Sequence, residues 1–249
     1  MLERSLEFFR PHHLELRKRI IRIFLTIIAA TAACYAFAEK IAAFFIAPLL
    51  QASPFVHKLV YTNLPEAFIS YLKLSLIVGL VVSFPIILYQ IWIFISPGLK
   101  SNEKKAAILI VFWASLLFTS GAAFAYFIVI PRMLLYFMSY ANPNLEPLPQ
   151  FGTYLTFMAR TVMAFGLAFQ IPFLMVMAGK TGLVNSTSFV KKRFYFYCGI
   201  VVIAFLLAAG DLMATALLSG PLFLLYEAGI FLSSLFGKKA GSDLEIRPQ

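Results

Sequence analysis

Charge is scarce in this sequence: Asp, Glu, Lys and Arg make up only 13% of its 249 residues, about half the share of a soluble domain. Cysteine is nearly absent. Cys34 and Cys198 both fall in apolar stretches and read as small packing residues, so a disulfide or thiolate-metal framework is not expected. The three histidines, His12, His13 and His57, are not paired with Cys or carboxylates at helical ligand spacing, and no H-E-x-x-H occurs, so no metal is expected. A P-loop is missing, as is any period-two alternation of the kind a membrane barrel needs. Ser75 and Ser120 have no histidine in another apolar stretch to activate them, which disfavours an intramembrane hydrolase. No internal repeat is visible, and matched halves would mark many secondary transporters.

What the chain does have is apolar length. Apolar residues reach 61% and the mean hydropathy is +0.86. Continuous runs lie at roughly 23–38, 69–95, 106–130, 154–178, 194–209 and 212–232, each at or near the ~20 residues that cross a bilayer as helix. The expected fold is an all-α membrane protein with six transmembrane helices. The net charge of +10 would suit nucleic acid, but its distribution points to a membrane instead. Basic residues gather before the first run (Arg4, Arg10, Arg17, Lys18, Arg19, Arg22), between the second and third (Lys100, Lys104, Lys105), between the fourth and fifth (Lys180, Lys191, Lys192, Arg193), and in the tail (Lys238, Lys239, Arg247). The other connections hold only Lys40, Lys58 and Arg132. The positive-inside bias therefore puts both termini in the cytoplasm. Lys73 and Arg160, inside runs near their outer ends, could snorkel to the interface.

The first outer connection, about 39–68, carries Pro48, Pro54 and Pro65 and is long enough to form a structured outer cap between helices one and two. The second, about 131–153, opens with Pro131 and is rich in turn residues. A third connection of about four residues makes an antiparallel hairpin of the last two runs, and the fifth run, at 16 residues, is short for a ~30 Å core. Residues 1–236 read as one six-helix domain and 237–249 as a polar, disordered cytoplasmic tail. Ala36-Phe37-Ala38 has the form of a signal-peptidase site, although the leader it implies would be unusually long and acidic.

Candidate chemistry rests on a few polar groups in awkward places. Glu15 lies among cations at the mouth of the first run, and Glu103 repeats that setting in Ser96-Pro97-Gly98-Leu99-Lys100-Ser101-Asn102-Glu103-Lys104-Lys105. Both acids can be read as surface ion pairs worth ~0–1 kcal/mol, or as receivers of guanidinium groups from a partner. Gln170, deep in the fourth run, has two readings. It can bond a neighbouring helix or the carbonyl near 168 freed by Pro172, or it can line a wet cavity. Glu227 reads as a pairing or snorkelling group, and Asp211 as the cap of the last helix.

In their order and spacing these stretches resemble the TatC family, the multi-spanning subunit of the twin-arginine protein translocase. The resemblance runs from His12 to Phe231. It rests on His12-x-x-Glu15-Leu16-Arg17-Lys18-Arg19, on Pro85-x-x-Leu88-Tyr89-Gln90-x-Trp92-x-Phe94-x-x-Pro97-Gly98-Leu99 with Glu103, and on Phe124-Ala125-Tyr126-Phe127 with Pro131. Further on come Phe165-Gly166-x-x-Phe169-x-x-Pro172, Asp211, Pro221 and Leu225-Tyr226-Glu227. The resemblance implies that Glu15 and Glu103 read the paired arginines of a signal peptide, in a site shaped by Leu16, Arg17, Phe94, Pro97, Gly98 and Leu99. It implies export of folded proteins across the inner membrane on the proton gradient, without enzymatic chemistry or cofactor. The implied partners are single-span proteins related to TatA and TatB, the lipid bilayer, and further copies of the chain in a larger complex, but not nucleic acid. Pro48 and Asp211 match outer-side positions concerned with assembly or function. The sequence departs from the family pattern at Gln170, where Glu is usual, at His13, where Leu is common, and at Ala214 and Thr215, where Ser and Gln are usual. The alternative class is a small-solute or ion secondary transporter with Gln170, Arg160 and Asp211 on its pathway.

Overall fold

The structure is a computed structural model describing the backbone of residues 2–52, 56, 58–95, 101–140, 147–180, 184, 186–208 and 210–236. Side chains are described over the same stretches except 2–14, 95, 101–107, 186–187 and 236. Among the described residues every extended element is helical, and the only β feature is an isolated bridge between Val60 and Gln150. In chain order the helices are α1 (Leu2–Ala36), α2 (Ala38–Ala52), α3 (Glu66–Ile95), α4 (Ser101–Phe124), a π-helical segment (Ala125–Val129), α5 (Ile130–Met138), α6 (Phe151–Ala168), α7 (Gln170–Lys180), α8 (Ser186–Lys191), α9 (Arg193–Leu207) and α10 (Leu212–Phe236). Among the described residues five stretches are long and apolar enough to cross a membrane: Glu15–Ala36, Glu66–Phe94, Ile108–Met138, Phe151–Lys180 and Leu212–Leu235. The sixth apolar helix, α9, is shorter. Large apolar side chains such as Phe24, Leu206 and Leu224 stand exposed along these helices, which in water would be an aggregating surface and in lipid is the solvated one.

The helices alternate in direction. Arg19 meets Gln90, Thr31 meets Gly79 and Tyr35 meets Phe68, so α1 and α3 run antiparallel along their whole shared length. Gly79 is what lets them close. A methyl carbon there would sit 2.8 Å from the Thr31 amide nitrogen, and such an approach of two backbones is the usual way membrane helices gain dispersion contact. Phe84 stacks on Phe118 between α3 and α4, and Phe165 and Met158 of α6 are fully buried in the core formed with α4 and α5. At the other side of the bundle, α10 packs along α7 and α9. Its hairpin with α9 turns at Gly210, whose φ of 90° suits a residue without Cβ.

Proline writes the departures from ideal helix. The expectation that helix three ends by 130 and a connection opens at Pro131 is overturned: the chain stays helical through Met138. Pro131 cannot donate, and its ring crowds the carbonyl a turn earlier. The backbone meets this by widening to a π segment, in which Ile130 donates to the Ala125 carbonyl. Pro172 has the complementary effect, interrupting the fourth apolar stretch at Phe169 between α6 and α7. The expected cap between helices one and two is present as α2, with Ala42, Phe45 and Leu49 buried against the bundle.

Candidate functional site

The two acids singled out in the sequence lie toward one end of the bundle, opposite α2. Glu15 stands one turn from Arg19 on the face of α1 that meets α3. Arg19 donates Nη2 to its Oε1 at 2.5 Å and Nε at 3.2 Å, and offers Nη1 to Gln90 Oε1 at 3.4 Å. The Arg19 side chain is largely covered, 13% exposed, while that of Glu15 is 37% exposed. The ion-pair reading of Glu15 is therefore present in the fold, and its side chain is partly exposed. Arg17, two positions from Glu15 and so across the helix, is exposed; Leu16 and Phe94 are half-buried. Glu103 lies in the first turn of α4, where a helix N-terminus favours an anion. Its side chain, and Pro97, Gly98 and Leu99 altogether, lie outside the described residues.

Gln170 is buried at the top of α7 and donates Nε2 to the Ala114 carbonyl of α4 at 3.1 Å. The bond to a neighbouring helix is the partner it takes, in place of the 168 carbonyl. Asp211 caps α10, its Oδ1 accepting from the Ala214 amide at 2.6 Å. Glu227 pairs with Arg193 at 2.7 Å and accepts the Tyr197 hydroxyl. No group of three or more His, Cys, Asp or Glu residues able to hold a metal occurs among the described residues.

The cap end carries chemistry that the sequence reading overlooked. Pro48 sits inside α2 and has no amide hydrogen for the Phe44 carbonyl a turn before it. Tyr126 of the π segment supplies the missing donor, its hydroxyl 2.7 Å from Phe44 O, with the two rings stacked 4.4 Å apart. Tyr154 of α6 donates to the next carbonyl, Phe45 O, at 2.9 Å. Glu66 was missed altogether. It accepts from the Thr62 amide (2.8 Å) and hydroxyl (3.2 Å), from Gln150 Nε2 (3.1 Å) and from the Gly152 amide (3.1 Å). One carboxylate thus serves the N-termini of both α3 and α6, fixed beside the pairing in which Val60 N donates to Pro149 O and Phe151 N to Val60 O. Thr62-Asn63-Leu64-Pro65-Glu66 is a legible helix-start signal, but the partner at Gly152 is distant in sequence.

The family model described as "Sec-independent protein translocase protein (TatC)" matches residues 11–221. The chain belongs to the TatC family. A TatC of Desulforapulum autotrophicum is 33% identical over 95% of this chain and 88% of its own length. That of Escherichia coli K12 is 32% identical over 90% and 87%. Among solved structures, a crystal structure of the twin-arginine translocase receptor TatC superposes with a TM-score of 0.79 at 35% identity, covering 90% of this chain and 98% of that one. The TatC fold is thus shared along nearly the whole chain.

Proposed function

We propose that this chain is the signal-reading core of a twin-arginine translocase, exporting folded proteins across the inner membrane on the proton gradient. In this reading α9 is the sixth crossing, both termini face the cytoplasm, and Glu15 and Glu103 take the paired arginines of the signal peptide. Leu16, Arg17, Phe94, Pro97, Gly98 and Leu99 shape that site. Single-span proteins related to TatA and TatB supply the rest of the conduit, alongside further copies of the chain. The small-solute transporter is the weaker alternative, because Gln170 is engaged with a backbone carbonyl and Asp211 with a helix cap.

The observation that carries the proposal is the placing of Glu15. Its carboxylate is partly exposed and already holds a guanidinium in a two-pronged contact. An incoming arginine can make the same charge-assisted bonds, whereas lysine cannot reproduce the planar fork. The first turn of α4, with Glu103, lies across α3 from α1 at the same end of the bundle. The test is binding of a twin-arginine signal peptide, and of its twin-lysine counterpart, to the protein in lipid nanodiscs. Arginine-selective binding lost in Glu103→Gln and Glu15→Gln is the expected result. Equal binding of both peptides by the folded protein would overturn the assignment.

A further inference from the structure

A cleft of about 710 Å³ lies at the cap end between α3, α6 and the end of α9. We propose that it binds the phosphate headgroup of an anionic membrane lipid, held by Lys73 and Arg160. The proposal starts from an imbalance of charge. Both cations line the cleft and are exposed, yet neither belongs to the ion pairs found among the described residues, which are Arg19–Glu15 and Arg193–Glu227. The one carboxylate lining the cleft is Glu66, and it is already occupied by four hydrogen bonds from Thr62, Gln150 and Gly152.

Depth makes the imbalance costly. α6 starts at the Val60–Gln150 bridge, and Glu66 at the start of α3 is bonded there to Gln150 and Gly152, so the two helices begin at one level and run in parallel. Lys73 lies roughly 10 Å and Arg160 roughly 14 Å below those starts at 1.5 Å per residue. Cations at that level, flanked by Ile69 and Leu206, need a counter-charge or water. The third wall supplies access. With 15 residues, α9 spans only about 22 Å against a ~30 Å hydrocarbon core, so the bilayer surface is drawn down along this face. Headgroups thereby reach the level of the two cations. A phosphate can take the planar fork of Arg160 and the point charge of Lys73 together, and Thr156 lines the same cleft. Leu206, 72% exposed, and Ile69, 42% exposed, present an apolar path for the acyl chains, which favours a lipid over a free anion.

The test is native mass spectrometry of the full chain released from nanodiscs of phosphatidylglycerol or of phosphatidylcholine, the latter with and without inorganic phosphate. The wild type is expected to retain phosphatidylglycerol, and Lys73→Gln/Arg160→Gln to retain about twenty-five-fold less, from roughly fivefold for each cation held against an anionic surface. The charge-preserving Lys73→Arg/Arg160→Lys should retain it. Lys58→Gln/Arg132→Gln, which removes two exposed cations elsewhere at the same end, should also retain it. Equal retention by the wild type and the double Gln variant would overturn the proposal. So would capture of inorganic phosphate in phosphatidylcholine discs to the same extent, or co-purification of a protein helix whose acid cross-links to Lys73.

Discussion

If Pro48 matters because it leaves the Phe44 carbonyl for Tyr126, the two residues must be energetically coupled, and the coupling has a definite sign. Tyr126→Phe keeps the ring that stacks on Phe44 and deletes only the 2.7 Å donor. The stranded carbonyl should cost about 1 kcal/mol, the lower end of the ~1–3 kcal/mol range for an unsatisfied group, because Tyr126 is only half-buried. In a Pro48→Ala background the alanine amide becomes an intrahelical donor to Phe44 O, so the same Tyr126→Phe change should cost close to nothing. Reversible unfolding of the four proteins in mixed micelles by SDS titration yields the cycle directly, with an expected coupling of about 1 kcal/mol. The same cost for Tyr126→Phe in both backgrounds would refute the link between the proline and the tyrosine, whatever Pro48→Ala does alone.

Gly79→Ala should force α1 from α3 at Thr31 and destabilise by about 1–3 kcal/mol, seen as an earlier transition in the same titration. Asp211→Ala should cost about 1 kcal/mol through loss of the cap on α10, and Asp211→Asn much less, since asparagine caps nearly as well. Gln170→Leu should lower stability by about 1 kcal/mol, the net worth of one hydrogen bond, and leave export of a twin-arginine reporter intact; abolished export by a folded variant would show that the amide does more than bond Ala114. Arg193→Met/Glu227→Gln should change stability by less than about 1 kcal/mol, because that pair is 42% and 39% exposed.

The helical class and the positions of the apolar segments were legible because continuous hydrophobicity is a local property of the chain. The end of helix three was not. Pro131 reads as a stop signal in isolation, and only the π segment, with Ile130 reaching back to Ala125, shows how the helix passes through it. Asp211 and Glu227 were legible because a cap and a snorkelling or paired acid are the ordinary fates of such residues near helix ends. Glu66 was opaque for the opposite reason: half of its hydrogen bonds come from Gln150 and Gly152, more than eighty positions away. Glu15 was legible as an acid among cations, but its contact with Arg19 depends on the shared face one turn apart and on Gln90 arriving from α3.

The tyrosine bonds to α2 and the double use of Glu66 all fall at one end of the bundle, and they tie elements far apart in the chain. At the opposite end Arg19 reaches Gln90 of α3, and Arg193 pairs with Glu227 of α10. Mechanically the tyrosine and Glu66 cross-links brace the cap end, joining α2, α3, the π segment and α6 into one unit. A load on any one of these elements at the cap is therefore shared with the others, which keeps the order of the helices fixed there.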